Sequence, residues 1–388
     1  MNILVLNPNT QKCALKNKER ILAELLVRTK KIIENIEKLS DYLNTNNIHW
    51  SLTTKVLSGH RGILEEILKL PAIKKIHSIA DSRLSNLKTI KKIAPDIVTM
   101  YIKPPAIKYV KTVIDVADIS LNTSFSTIGA LNVEAKKRGI VHRIIIMIEM
   151  GELREGVIRK DLMEFYRKCF ELSNVKVIGL GTNLGCMYGV EPTFDKLLQL
   201  SLYKQLIEAK FSKTIEFISG GSSITLPMIA KNKIPKSVNH FRIGEAIFLG
   251  DSPLNGKKFK NLSMDVFEFD ANIIEMEHKE TAPDGVISEG NVGHAQEMPD
   301  EEMSYKAVLD FGVLDVNTDD ITPKDKDIQF IGTTSDMTVY DLGTKRKKKF
   351  KVGSQIKFKP NYMAVARLMN SKFVTKRIVN NTKSKSKI

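Results

Sequence analysis

Between Ile48 and Gly250 short apolar runs alternate with stretches whose apolar residues recur at helical spacing. Runs that are apolar on both faces, each followed by an amphipathic segment, read as strands of a parallel sheet covered by helices. The runs are His49 to Lys55, Lys75 to Ser82, Asp96 to Lys103, Ala117 to Thr123, Arg143 to Met150, Val175 to Leu184, Thr214 to Gly221 and Phe241 to Gly250. Segments such as Thr127 to Arg138 and Lys160 to Leu172 carry the helical period between them. This order predicts a closed (β/α)8 barrel, in which the C-terminal strand ends carry the chemistry.

After Gly250 the pattern becomes β-rich without intervening helices, in Asp265 to Glu277, Tyr305 to Val316, Ile328 to Ile331, Met337 to Leu342 and Gln355 to Lys359. A second, mostly antiparallel domain is expected there. The predicted organisation is an N-terminal extension (1–27), a barrel (28–250), a β-domain (251–379) and a disordered basic tail (380–388). Arg20 to Val27 precedes a long predicted helix, Lys30 to Thr45, and is expected to lend a strand to the β-domain.

With 388 residues, 42% hydrophobic and 27% charged, the chain has the composition of a folded two-domain protein. Asn2 to Leu6 is too short for a signal-peptide core, and no apolar run reaches the ~18 residues of a membrane span. A cytoplasmic protein follows. Cys13, Cys169 and Cys186 are odd in number and show no CxxC spacing, which predicts neither disulfides nor a metal site. The net charge of +16 concentrates only at Lys345 to Lys351 and in the tail, without interleaved aromatics. It reads as a solvated lysine-rich surface rather than a specific nucleic-acid site.

The strand ends are polar. Lys55 closes the first run behind an apolar wall, where burial would make its amine a nucleophile and proton carrier. Ile218 to Leu226, with Gly220, Gly221, Ser222 and Ser223, follows the seventh run and opens a helix, which suits a phosphate. Arg242 sits among apolar neighbours in the eighth run and requires partners. Arg154 follows the fifth run beside a tight glycine turn. A lysine, two arginines and a phosphate loop together suit a carbonyl cofactor with a phosphate arm.

The chain resembles the alanine racemase-like group of fold-type III pyridoxal phosphate enzymes, and within it the ornithine racemases. The shared stretches are Thr54-Lys55 with His60, Ala80 to Arg83 before Asn86-Leu87, Gly151 to Gly156, Gly179 to Cys186, Ser219 to Ser223, and Arg242 to Glu245. The resemblance implies that Lys55 holds pyridoxal 5'-phosphate as a Schiff base, and that Ser222, Ser223, the Gly244 amide and Tyr362 bind its phosphate. It implies that Arg242 faces the pyridine nitrogen and keeps it unprotonated, because a guanidinium does not readily release its proton. The ring is then a modest electron sink, which favours proton exchange at Cα over transamination. Arg154 matches the arginine near the substrate carboxylate, and Asn183 stands where many relatives have a ring-side histidine. Ser335-Asp336 matches a loop that reaches the neighbouring active site, which implies a homodimer with shared sites.

Two positions depart from the resemblance. Val313 stands where alanine racemases place the tyrosine opposite the lysine, so His294, Tyr305 and Cys186 are the candidates for the second proton carrier, with His294 first. Gly59 replaces the tyrosine four residues after the lysine. Cys186 also reads as a packed small hydrophobe. Asp81 is the candidate for a basic substrate's distal ammonium, or else a salt-bridge partner of Arg83 or Lys74. The expected function is a racemase of a free amino acid, ornithine or another basic one. Val313 leaves a non-catalytic pyridoxal phosphate carrier as the alternative, while Arg242 argues against a decarboxylase of the same fold.

Overall fold

A computed structural model describes residues 23–288 and 302–379, together with the backbone of His294–Ala295. These residues divide into two compact units, Arg28–Val266 and a second made of residues 23–27 and Phe267–Val379. The first strand, β1 (Glu24–Val27), belongs to the second unit.

In the first unit, β2 (His49–Thr53), β3 (Ser78–Asp81), β4 (Thr99–Tyr101), β5 (Ile119–Asn122), β6 (His142–Met147), β7 (Val175–Gly181), β8 (Phe217–Ser222) and β9 (His240–Ile243) pair in sequence order. All pair in parallel, and β9 closes onto β2 through Ser51↔Arg242. This is the barrel that the alternating pattern predicts. Its centre is filled by Met100, Ile119, Leu121, Ile145, Met147 and Phe217.

The runs overshoot the strands. Pro71–Lys75 forms a 3-10 turn with proline at its start, so β3 begins only at Ser78. Phe241 to Gly250 is half strand and half helix, because the chain turns at Gly244 into the helix Glu245–Leu249. Ala246, Ile247 and Phe248 are all buried, and a helix of five residues is too short to carry a period that distinguishes it from a strand.

The helix Thr29–Thr45 buries Ile32, Ile36, Leu39 and Leu43, which repeat at helical spacing. Its buried Asn35 donates to Ile247 O at 2.8 Å and to Ser263 O at 3.0 Å, and accepts from Ser263 N at 2.7 Å. That clamp ties the chain beyond Gly250 to the barrel, together with the small hairpin β10 (Asp251–Ser252) and β11 (Lys257–Lys258). The barrel unit therefore ends at Val266 rather than at the expected Gly250.

The second unit is built on β12 (Phe267–Glu280), which pairs antiparallel with β1, with β14 (Met303–Leu309) and with β18 (Gln355–Pro360). Around it lie β13 (His294–Ala295), β15 (Ile321–Pro323), β16 (Gln329–Thr333), β17 (Thr338–Asp341) and β19 (Thr375–Ile378), the last parallel to β1. Phe269, Phe311 and Phe358 form its aromatic core, with the Phe269 and Phe311 rings 5.1 Å apart and edge to face. The sequence pattern did not predict β15, β19 or the helix Tyr362–Asn370. In the basic stretch, Lys347 pairs with Asp327 at 3.4 Å and Lys349 pairs with Asp325. No described helix is long and apolar enough to cross a membrane.

Candidate functional site

Lys55 opens a 3-10 turn directly after β2, with Val56 and Leu57 buried beneath it. Lys55 itself is exposed, contrary to the expected burial, since the strand has already ended at Thr53. The turn is fixed from one side. Thr54 donates through Oγ1 to Asp81 Oδ2 at 3.0 Å, and Asp81 Oδ1 accepts from Arg83 N at 2.9 Å and Asn86 Nδ2 at 3.1 Å. Gly59, at φ +70°, lies against Asn86, where a Cβ would come within 2.7 Å of Oδ1. A tyrosine at this position would not fit.

Asp81 is fully buried, its carboxylate holds the turn that carries Lys55, and it makes no ion pair with Arg83 or Lys74. Burial pushes its pKa up to about 6 against the downward pull of those donors. A carboxyl raised in the fold contributes stability below its ordinary value near 3.8 and loses it as pH rises towards 6. Between about pH 4 and 7 the wild type should therefore lose ~3 kcal/mol relative to Asp81→Asn, measured by urea unfolding of both proteins. Parallel pH profiles would rule out this account.

Arg242 points into the barrel from β9 with 7% of its surface exposed. Nη1 donates to Ser219 O at 3.0 Å and to Ser219 Oγ, while Nη2 donates to Thr182 O at 2.8 Å and Asn183 Oδ1 at 2.9 Å. Burial lowers its pKa to about 10, and the nearby Glu155 carboxylate opposes that fall. Asn183 passes the network on by donating through Nδ2 to Glu155, which pairs with Arg154. Arg154 Nη1 lies 2.6 Å from Cys186 Sγ. A contiguous polar chain thus joins the ends of β6, β7, β8 and β9. Cys186 is exposed at its far end and is not a packed hydrophobe.

The loop bearing Cys186 is shaped by Glu152, whose carboxylate accepts from the N–H groups of Cys186, Tyr188 and Val190 at 2.9 to 3.0 Å. Burial pulls this carboxyl upward, but those donors and the Met187 N–H outweigh it and hold it below its ordinary range. Glu245 behaves oppositely. Burial and the neighbouring Asp251 raise it to about 7, with the charge of Lys55 opposing.

At the end of β8, Ser222 and Thr225 form a reciprocal capping box, and Ser223 Oγ accepts from Ala246 N at 3.1 Å. The loop lies against the Phe241 ring of β9 because position 221 has no side chain, a Cβ there falling 2.2 Å from Phe241 Cδ1. Gly244 abuts β2 in the same way, with Thr53 O 2.9 Å from a would-be Cβ. Gly221→Ala is therefore expected to cost about 2 kcal/mol by overpacking. An unchanged melting temperature would contradict that.

The remaining candidates lie in the second unit. Tyr362 begins a helix capped by Asn361, whose Oδ1 accepts from Ala364 N at 2.9 Å. Ser335 is exposed, and its carbonyl accepts from Leu314 N at 3.1 Å, which sets its loop beside Val313. Tyr305 stacks on His278 at 4.7 Å. The backbone of His294 pairs with Thr333, and its side chain lies outside the described residues, as do Cys13 and the expected tail.

The family described as "Alanine racemase, N-terminal domain" matches residues 27–253, which span the barrel and its long first helix. The chain belongs to that family. Among similar proteins of this alanine racemase family are the ornithine racemase of Acetoanaerobium sticklandii, 28% identical over 92% of this chain and 99% of that one, and the lysine racemase of Thermotoga maritima, 29% identical over 92% and 98%. The solved alanine racemase of Clostridium difficile 630 shares the fold at a TM-score of 0.71 with 14% identity, covering 94% of this chain and 97% of that one.

Pyridoxal phosphate is the cofactor of the alanine racemase family. The donor set in the barrel fits it. Both Nη groups of Arg242 are engaged by described acceptors, whereas Nε–H has none among the described residues and suits a pyridine nitrogen. The close loop at Gly221 offers the hydroxyls of Ser222 and Ser223 to a phosphate. The sequence reading missed Glu152, Glu155, Ser219 and His240. The first two were visible as carboxylates flanking Leu153-Arg154, but the contacts with Asn183 and with the Cys186, Tyr188 and Val190 amides lie 28 to 38 residues away.

Proposed function

We propose that this protein is a pyridoxal phosphate-dependent racemase of a free basic amino acid, ornithine or lysine, acting as a cytoplasmic homodimer. The observation that carries it is the chain of contacts from Arg242 through Asn183 and Glu155 to Arg154, because it couples a ring-facing cation to a cation suited to a substrate carboxylate. The basic substrate class is supported by the two near-full-length relatives, an ornithine and a lysine racemase. A passive carrier needs no such clamp.

Bound pyridoxal phosphate supplies the electron sink that makes the substrate Cα–H acidic. Ser222, Ser223 and the Gly244 amide would hold its phosphate, as would Tyr362 by the family resemblance, Asn183 would stand beside the ring, and Arg242 would donate to the ring nitrogen from Nε. Arg154 orients the substrate carboxylate, with Ser335 contributing from the partner's second unit. The Lys55 amine takes or returns the Cα proton on one face. On the other face His294 is our assignment, and Cys186 is the competitor beside Arg154.

Incubation with pyridoxal phosphate and a panel of L-amino acids in D2O, followed by proton NMR and chiral chromatography, tests the reading. Deuterium at Cα with D-ornithine or D-lysine formed is the expected result. Cofactor binding without exchange on any amino acid would leave the carrier. Comparing His294→Ala with Cys186→Ala assigns the second proton carrier, as its loss slows one direction of exchange more than the other.

A further inference from the structure

Beneath Arg242 the barrel interior holds a polar chain that the proposed reaction does not use. A guanidinium only donates, so Ser219 Oγ beside Arg242 Nη1 accepts. The single hydroxyl proton of Ser219 then needs an acceptor, and His240 Nδ1 lies 2.8 Å away. The ring's other nitrogen, Nε2, lies 2.9 Å from Ser51 Oγ, which is 2.7 Å from Ser78 Oγ. Ser51, Ser219 and His240 are all 0% exposed. A ring protonated at Nδ1 would leave the Ser219 proton buried without a partner, at a cost of ~1–3 kcal/mol.

The strand places these groups together. His240 and Arg242 are two residues apart on β9 and so face the same side of the sheet. The registers Ser219↔His240 and Ser51↔Arg242 bring the two serines alongside. Burial above all, and then the neighbouring His77, Arg242 and His49, hold the imidazole in its neutral form.

We propose that His240 is a positioning residue for Arg242: its neutral, Nε2-protonated imidazole takes the Ser219 proton and thereby fixes the side of the guanidinium fork opposite Asn183. Without that acceptor Ser219 Oγ is free to turn its proton towards Nη1, and the fork loses one of its four anchors. The Nε–H that faces the cofactor ring moves with it. The catalytic part of this inference rests on the racemase reading, whereas the tautomer does not.

The test compares His240→Leu, which fills the space without an acceptor, with His240→Asn, whose carboxamide oxygen reaches the Nδ1 position. For His240→Leu, pyridoxamine phosphate formed per racemised molecule should rise about tenfold and the affinity of the apoprotein for pyridoxal phosphate should fall about tenfold, the size of one hydrogen bond. His240→Asn should restore both to within about threefold of wild type. Equal behaviour of the two variants, or wild-type values in His240→Leu, would overturn the proposal. Should His240→Leu not fold, Ser219→Ala cuts the same chain with a smaller void and must show the same shift. Nitrogen NMR of histidine-labelled wild type should give an Nε2–H ring for His240 that does not titrate between about pH 5 and 9. An Nδ1–H ring would also overturn it. A wild type that neither binds cofactor nor exchanges Cα protons would defeat the racemase reading instead, and the NMR result would still judge His240.

Discussion

Lys55→Ala is expected to abolish both the visible absorbance of bound pyridoxal phosphate and proton exchange at Cα, lowering the racemisation rate by at least ~10³-fold. Lys55 is the lysine that opens the turn after β2, and Thr54, Asp81, Asn86 and Gly59 are arranged to fix that turn. The substitution removes an exposed side chain while Val56 and Leu57 stay packed, so the fold should be unaffected. Loss of activity with an unchanged melting temperature is the signature. A variant that keeps full racemase activity would remove Lys55 from the reaction.

The second large effect is expected from Arg242→Glu. Its carboxylate would face Ser219 O, Thr182 O and Asn183 Oδ1, three acceptors that now receive guanidinium protons. Facing acceptors in a buried site drives a carboxyl to stay protonated. The variant should lose ~3–5 kcal/mol of stability through orphaned acceptors. The retained carboxyl proton is available to the ring nitrogen, which strengthens the electron sink. Transaminated cofactor per racemised molecule should therefore rise above the level of His240→Leu. An unchanged ratio in folded Arg242→Glu would remove the assigned role of Arg242.

The barrel was legible because strand and helix periods alternate, and each break between them falls near a polar strand end. Arg242 stood out as a charge inside an apolar run, and its four anchors explain why it is tolerated there. Asp81 was ambiguous because its position at the end of β3 is equally that of a ligand group or a turn holder. The three donors around it show the turn-holding role, and all come from outside its own strand. Glu155 and His240 escaped notice because nothing local distinguishes a buried relay from an ordinary polar residue. Their partners come from other strands. The helix Glu245–Leu249 was missed because five residues are too few to show a period.

The pairing of β1 has a consequence for biosynthesis. Its buried Glu-Leu-Leu-Val segment leaves the ribosome ahead of the barrel, yet its hydrogen-bonding neighbours are β12 and β19. The ion pair that Arg377 makes with Glu24 closes a separation of 353 residues. The barrel contacts are nearer in sequence and are expected to form first, while β1 lacks its partner β12 until the chain has emerged past Asp270. Nascent chains stalled after Val266 should therefore carry a finished barrel and an adhesive leading strand, a natural target for chaperones until synthesis is complete.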